Sequence, residues 1–199
     1  KIDTYYGYFY RGSDLNDLDY FTTGPDYMKD IRLVELDNGK IGVFSRPRND
    51  EIKRKYGTGS MIGFAIINTL DELTDEVIEA AAPIDGIFAK DEWGGCNQAY
   101  LLENGNIGVI GHQCYTQSME DGEDLSVYVN ISFEFDPQTF EVKDRKIIGT
   151  RSCYPEGPSK VPSLIDCTFT SGIYMRNDGK ADLYGGMSDT MEGRITIDY

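Results

Sequence analysis

The chain has 199 residues, 40% of them hydrophobic and 12% aromatic, enough to bury a sizeable core in one or two domains. Its 34 acidic residues against 19 basic give a formal net charge of -15, which opposes nucleic acid as a partner and leaves no polybasic patch for a membrane surface. No run approaches the roughly 20 apolar residues of a membrane span, and no signal-peptide pattern opens the chain, so a soluble, cytoplasmic protein is expected.

Residues 1–10 (KIDTYYGYFY) form a Tyr-rich, β-prone opening, which Arg11-Gly12-Ser13-Asp14-Leu15 breaks with turn residues. A short strand is expected over 20–23 and a loop at Gly24-Pro25-Asp26. Residues 33–36 and 41–44 read as a hairpin around Asp37-Asn38-Gly39, ending in the basic cluster Ser45-Arg46-Pro47-Arg48. The polar, charged and Gly-bearing stretch 49–59 reads as a surface loop, and 61–67 as an apolar strand. One helix is expected: Thr69-Leu70-Asp71-Glu72 has capping-box spacing, Thr74 can cap a second start, and Pro83 stops it after one or two turns.

The stretch 91–112 (DEWGGCNQAYLLENGNIGVIGH) carries the only Trp and the only His of the chain. An apolar run over 99–102, the Asn104-Gly105 turn and the return over 107–110 make a second hairpin. Its ends meet in space, so a loop over 93–98 and His112 at the facing strand end can bring Trp93, Asn97, Gln98 and His112 onto one small polar ligand. An acidic loop over 115–124, strands over 125–135 and 142–150, and an extended loop over 154–162 with three prolines follow. A third hairpin turns at Asn177-Asp178-Gly179, with a polar loop over 185–190 before a last strand at 194–197.

Cys96, Cys114, Cys153 and Cys167 lie far apart without a C-x-x-C pair, and the lone His112 leaves little for zinc, so reduced thiols and no metal are expected. A Cys96–Cys114 disulfide across the central hairpin is geometrically conceivable, and with it a secreted origin.

The turn glycines Gly39, Gly105 and Gly179 stand about 66 and 74 residues apart. A strand-rich unit of four short strands recurring at such a period is how a β-propeller blade reads in sequence. Propellers close with about 4 to 8 blades, whereas this length accommodates about three. The fold class expected is therefore all-β, one propeller domain over 1–199 with three to four blades, the C-terminal portion of a longer propeller.

Arg11-Gly12-Ser13-Asp14-Leu15, residues 24–33 (GPDYMKDIRL), residues 42–48 (GVFSRPR), Trp93-Gly94-Gly95-Cys96-Asn97, Gly111-His112, Gly157-Pro158-Ser159-Lys160 and residues 183–189 (LYGGMSD) resemble an uncharacterised bacterial family related to the five-bladed β-mannoside phosphorylases of glycoside hydrolase family 130. A branch of that family is known as β-1,2-mannan phosphorylases and mannosyltransferases. The resemblance implies inverting phosphorolysis of a β-mannosidic bond, with inorganic phosphate as co-substrate, no other cofactor, and an oligosaccharide or sugar phosphate as partner. Carried over position by position, it makes Arg46, Arg48 and His112 phosphate ligands, an Arg fork matching phosphate bidentately. It gives Asp30, Arg32, Trp93, Asn97 and Asp189 to the sugar. Nothing before Lys29 matches the family's general-acid segment, which places that acid upstream of Lys1. A homo-oligomer remains open. Two other classes also stay open: a hydrolase of the same fold, which needs a second carboxylate in place of phosphate-binding cations, and a non-catalytic carbohydrate-binding propeller.

Overall fold

A computed structural model of the chain describes residues 3–120 and 122–199; Lys1 and Ile2 of the Tyr-rich opening and Asp121 of the expected acidic loop lie outside the described residues. The structure is all-β with short helical insertions, built from four antiparallel sheets that follow one another along the chain. A two-stranded hairpin, β1 (Tyr8–Asp14) and β2 (Asp17–Thr23), comes first. The second sheet is a meander of β3 (Arg32–Glu35), β4 (Ile41–Ser45), β5 (Gly63–Ile67) and β6 (Ala82–Pro83). The third is β7 (Trp93–Leu101), β8 (Ile107–Ser118), β9 (Asp124–Phe135) and β10 (Val142–Gly149), and the last is β11 (Thr168–Met175), β12 (Lys180–Met187) and β13 (Met191–Asp198).

All three expected hairpins form. Gly39, Gly105 and Gly179 occupy the left-handed region, with φ of 74, 82 and 78°, which a glycine enters without steric cost.

The first strands of the three larger sheets lie side by side, β7 between β3 and β11. Each is the edge of its own sheet, so backbone groups there need partners from elsewhere. Side chains from the neighbouring sheets supply them. Arg32 Nε donates to the Asn97 carbonyl at 2.6 Å and the Ile173 amide donates to Gln98 Oε1 at 2.7 Å, while Thr170 Oγ1 reaches past β7 to the Gly111 carbonyl of β8 at 2.9 Å. Between the second and third sheets a cluster of Phe44, Phe64, Phe135 and Phe140, with ring centroids 4.9 to 5.9 Å apart, fills the core. Edge-to-face aromatic contacts of this kind contribute beyond the area they bury.

Several expectations need correction. Residues 49–59 are not a loop: α1 (Asp50–Tyr56) forms there, with Asn49 Oδ1 accepting from the Ile52 amide at 2.9 Å, acids in its first turn, bases in its last, and Gly57 ending it at φ 67°. It buries only Ile52, so its apolar periodicity is almost silent. The expected 69–83 helix is a 3₁₀ turn at Leu70–Glu72 followed by α2 (Asp75–Glu79), capped by Thr74 rather than Thr69. The first strand runs on through Gly12 to Asp14 before turning, because a register shift at Gly12 absorbs the break. The stretch 93–98 is strand β7, not a loop, and His112 sits within β8, because Gly94 and Gly95 allow close strand approach where other residues do not. Strand pairing also takes in part of the expected 115–124 and 185–190 loops. All four cysteines are free; Cys96 faces Gly111 and Cys114 faces Trp93, a three-residue offset of about 10 Å that no disulfide spans.

Asn49→Ala should lower unfolding free energy by about 1 kcal/mol through loss of the cap, read as a lower denaturation midpoint with an unchanged slope.

Candidate functional site

The turn into β3 places Asp30 in the left-handed region at φ 60° and buries its carboxylate. Arg46, just past the end of β4, donates from Nη1 to Asp30 Oδ2 at 2.7 Å and from Nε to Ser60 Oγ at 3.0 Å. These bonds use only part of the guanidinium's donors. Strand β7 crosses the other side of Asp30, and only a glycine fits there: a Cβ on Gly95 would stand 2.8 Å from Asp30 Oδ2 and 3.0 Å from His112 Cε1.

Behind the pair, fully buried His112 contacts Asn97 Oδ1 through Nδ1 at 2.7 Å, while its Nε2 lies 4.0 Å from Asp30 Oδ2. Burial drives the imidazole well below its usual pKa of 6.5, with Arg46, Lys29 and Arg32 pushing the same way. The ring is therefore neutral. With the Asn97 oxygen accepting, its proton sits on Nδ1, and the Nε2 lone pair and Asn97 Nδ2 are buried without a partner among the described residues.

In front of the pair opens a cavity of about 940 Å³. Its wall carries the cations Lys29, Arg46, Arg48 and Lys53, with Asp91 the one acid among the lining residues. Arg48 Nη1 donates to the Tyr5 hydroxyl at 2.6 Å. Ser60, Thr58 and the Gly57-to-Gly59 turn that follows α1 form the floor, where Thr58 Oγ1 donates to the Glu92 carbonyl. Trp93 and Tyr128 close the side, the indole hydrogen-bonded to the phenol, whose pKa burial raises. The thiols of Cys96 and Cys114 behind this wall are pushed up to about 12 by burial, which keeps them protonated and inert as nucleophiles.

A family model described as "Protein of unknown function (DUF1861)" matches residues 1–199. The chain belongs to the DUF1861 family. No curated protein matches it. Among solved structures, this DUF1861 chain is similar to MPT-4, a mannose phosphorylase from Leishmania mexicana in complex with phosphate ion, at 55% identity and TM-score 0.92, over 100% of this chain and 60% of that one. It is also similar to MPT-1, a GDP-Man-dependent mannosyltransferase from Leishmania mexicana, at 49% identity and TM-score 0.88, again over 100% and 60%. A thermostable family-43 glycoside hydrolase shares the fold at 10% identity and TM-score 0.62, over 98% of this chain and 62% of that one. The DUF1861 chain thus spans about 60% of the length of its Leishmania relatives.

The structure brings Arg46, Arg48 and Trp93 together on the wall of this cavity, while Asp30 lies buried behind Arg46 and borders a separate groove with Tyr6 and Tyr8. Asn97 and His112 stand behind Asp30 rather than on the wall, and Arg32 is tied to the Asn97 carbonyl. Asp189 lies apart, exposed on the turn after β12 and paired with Lys160 at 3.0 Å. Lys29, Lys53 and Ser60 escaped the sequence reading. Lys53 was hidden by reading α1 as a loop, although Asn49 followed by two acids, then bases and Gly57, is a helix signal.

His112 makes the site's pH response legible because it is the chain's only histidine. Its folded pKa lies below its unfolded value of 6.5, so the unfolded chain takes up more protons as pH falls past 6.5. Stability should drop from pH 7 toward 5 by up to about 1.4 kcal/mol per pH unit, and His112→Asn should flatten that slope in denaturant titrations.

Proposed function

We propose that this chain forms the phosphate- and sugar-binding part of a five-bladed β-propeller enzyme that cleaves β-mannosides with inorganic phosphate. The observation that carries the reading is the cavity itself: four cations facing one carboxylate, in a chain of net charge -15. A hydrolase of this kind would use a second carboxylate as base where a phosphorylase needs phosphate-binding cations, and the cation-rich wall favours phosphate. The similarity to a phosphate-bound mannose phosphorylase supports the same choice.

In the proposed reaction an oxygen of phosphate attacks the anomeric carbon of a mannosyl unit. The C1–O bond to the leaving sugar breaks, a bond from C1 to that phosphate oxygen forms with inversion, and the leaving oxygen takes a proton. Arg46 and Arg48 hold the phosphate as forks, and Lys29 and Lys53 add point charge. Asp30, buried behind Arg46, holds that guanidinium in place at the cavity wall, and Trp93 packs on a ring face. His112 and Asn97, bonded to each other behind Asp30, fix the packing there rather than touching phosphate or sugar. Asp189 contributes at the sugar only if the turn after β12 folds toward the cavity. The proton donor is proposed to lie outside these 199 residues.

The same cations suit the diphosphate of a sugar nucleotide, and the similarity to a GDP-Man-dependent mannosyltransferase favours that second reading. One assay separates them: release of mannose 1-phosphate from β-linked manno-oligosaccharides with inorganic phosphate, in the full gene product and in this chain. The reading expects phosphate-dependent release by the full gene product, with Arg46→Ala and Arg48→Ala each raising the phosphate KM on the order of 10- to 100-fold, the range for losing a charge-assisted hydrogen bond. Release independent of phosphate would point to a hydrolase, and turnover of GDP-mannose alone to a transferase.

A further inference from the structure

Among the described residues, Arg46 is the one cation of the cavity wall held at two nitrogens: Nε donates to Ser60 Oγ at 3.0 Å and Nη1 to Asp30 Oδ2 at 2.7 Å. A guanidinium is planar and keeps its proton at any working pH. Bonds at two of its nitrogens therefore fix the plane and with it the direction of the third. That third nitrogen, Nη2, has no partner among the described residues, and the side chain borders the cavity. Arg48 is held less firmly, by Nη1 alone, which donates to the exposed Tyr5 hydroxyl at 2.6 Å. Lys29 and Lys53 bring point charges on flexible stems.

The two partners of Arg46 differ in kind. Asp30 is a carboxylate whose side chain is 7% exposed, so it offsets the charge of Arg46 as well as holding it. Ser60, 2% exposed and neutral, gives direction and leaves the charge unchanged.

The chain brings this serine back by a defined route. Strands β4 and β5 end at the Ser45–Gly63 pair, and the Met61 amide donates to the Pro47 carbonyl at 3.1 Å just beyond it. The excursion between them runs through α1 and Gly57 and is pinned to the approach to β7. There the Asp91 amide donates to the Gly57 carbonyl at 3.0 Å, and Thr58 Oγ1 donates to the Glu92 carbonyl. Ser60 is thus delivered to Arg46 by a turn that the third sheet anchors.

We propose that Ser60 is a positioning residue for the anion: it fixes the Arg46 plane so that Nη2 meets an oxygen of the bound phosphate. The proposal rests on the phosphate reading above. It divides the wall into one aiming group, Arg46, and three that supply net charge, Arg48, Lys29 and Lys53.

Calorimetric titration of this chain with inorganic phosphate, repeated over a series of chloride concentrations, separates aim from charge. Ser60→Ala should weaken phosphate on the order of three- to tenfold at every salt concentration, the range for a single ordinary hydrogen bond. The slope against ionic strength should stay as in the parent, whereas Arg48→Ala, which removes a charge, should flatten it. Ser60→Thr keeps the hydroxyl and should bind phosphate as the parent does. If Ser60→Ala does not fold, Ser60→Cys keeps the volume with a weaker acceptor and carries the same expectation. In the full gene product, Ser60→Ala should raise the KM for phosphate and leave that for the manno-oligosaccharide unchanged. A parallel rise in both would mark a merely structural serine and overturn the proposal, as would a flattened salt slope. Phosphate binding that is lost with Arg48 and indifferent to Ser60 would overturn this proposal alone. A parent chain that binds no phosphate would overturn the phosphate reading with it.

Discussion

The buried ion pair between Asp30 and Arg46 is the constraint around which the site is arranged. Its side chains are 7% and 9% exposed and meet at 2.7 Å. Taking both charges out of water is costly, and leaving either alone would cost about 3 to 5 kcal/mol, so the pair stands or falls together. Its geometry reaches far along the chain. Asp30 needs a left-handed turn, Arg46 needs the end of β4, Ser60 must return after α1 to take the second Arg46 donor, and β7 must pass with a glycine at 95. A charged imidazole beside Arg46 would add a second buried cation, and burial keeps His112 neutral instead.

The local and global electrostatics have opposite signs. A net charge of -15 repels phosphate at long range, yet surface acids act through water and salt, with a screening length of about 8 Å at physiological ionic strength. Cations gathered on one concave wall act at contact distance, well inside that screening length. The acidic surface therefore leaves the positive charge of the cavity wall intact and disfavours larger polyanions.

Much of the frame was legible because turns announce themselves. Asn104-Gly105 and Asn177-Asp178-Gly179 demand positive φ, and all three expected hairpins formed around them. Arg46 and Arg48 stood out as a basic cluster at a strand end, and the structure places both on the cavity wall. What could not be read was depth. Trp93 to Gln98 looked like a loop because glycines and polar side chains dominate it, but in a strand packed between two others those features serve close approach and edge satisfaction. His112 and Asn97 do converge, though behind Asp30, since burial is a property of three sheets together and not of one hairpin. Lys53 was missed because α1 turns all but Ile52 outward.

The most direct measurement is calorimetric titration of this chain with inorganic phosphate at neutral pH. The account predicts one saturable site, weakened when Arg48 is replaced by alanine. Heat no greater than that of an equal ionic strength of chloride, or binding indifferent to Arg48 and Lys53, would contradict the claim that the cavity in front of Asp30 and Arg46 is built for phosphate.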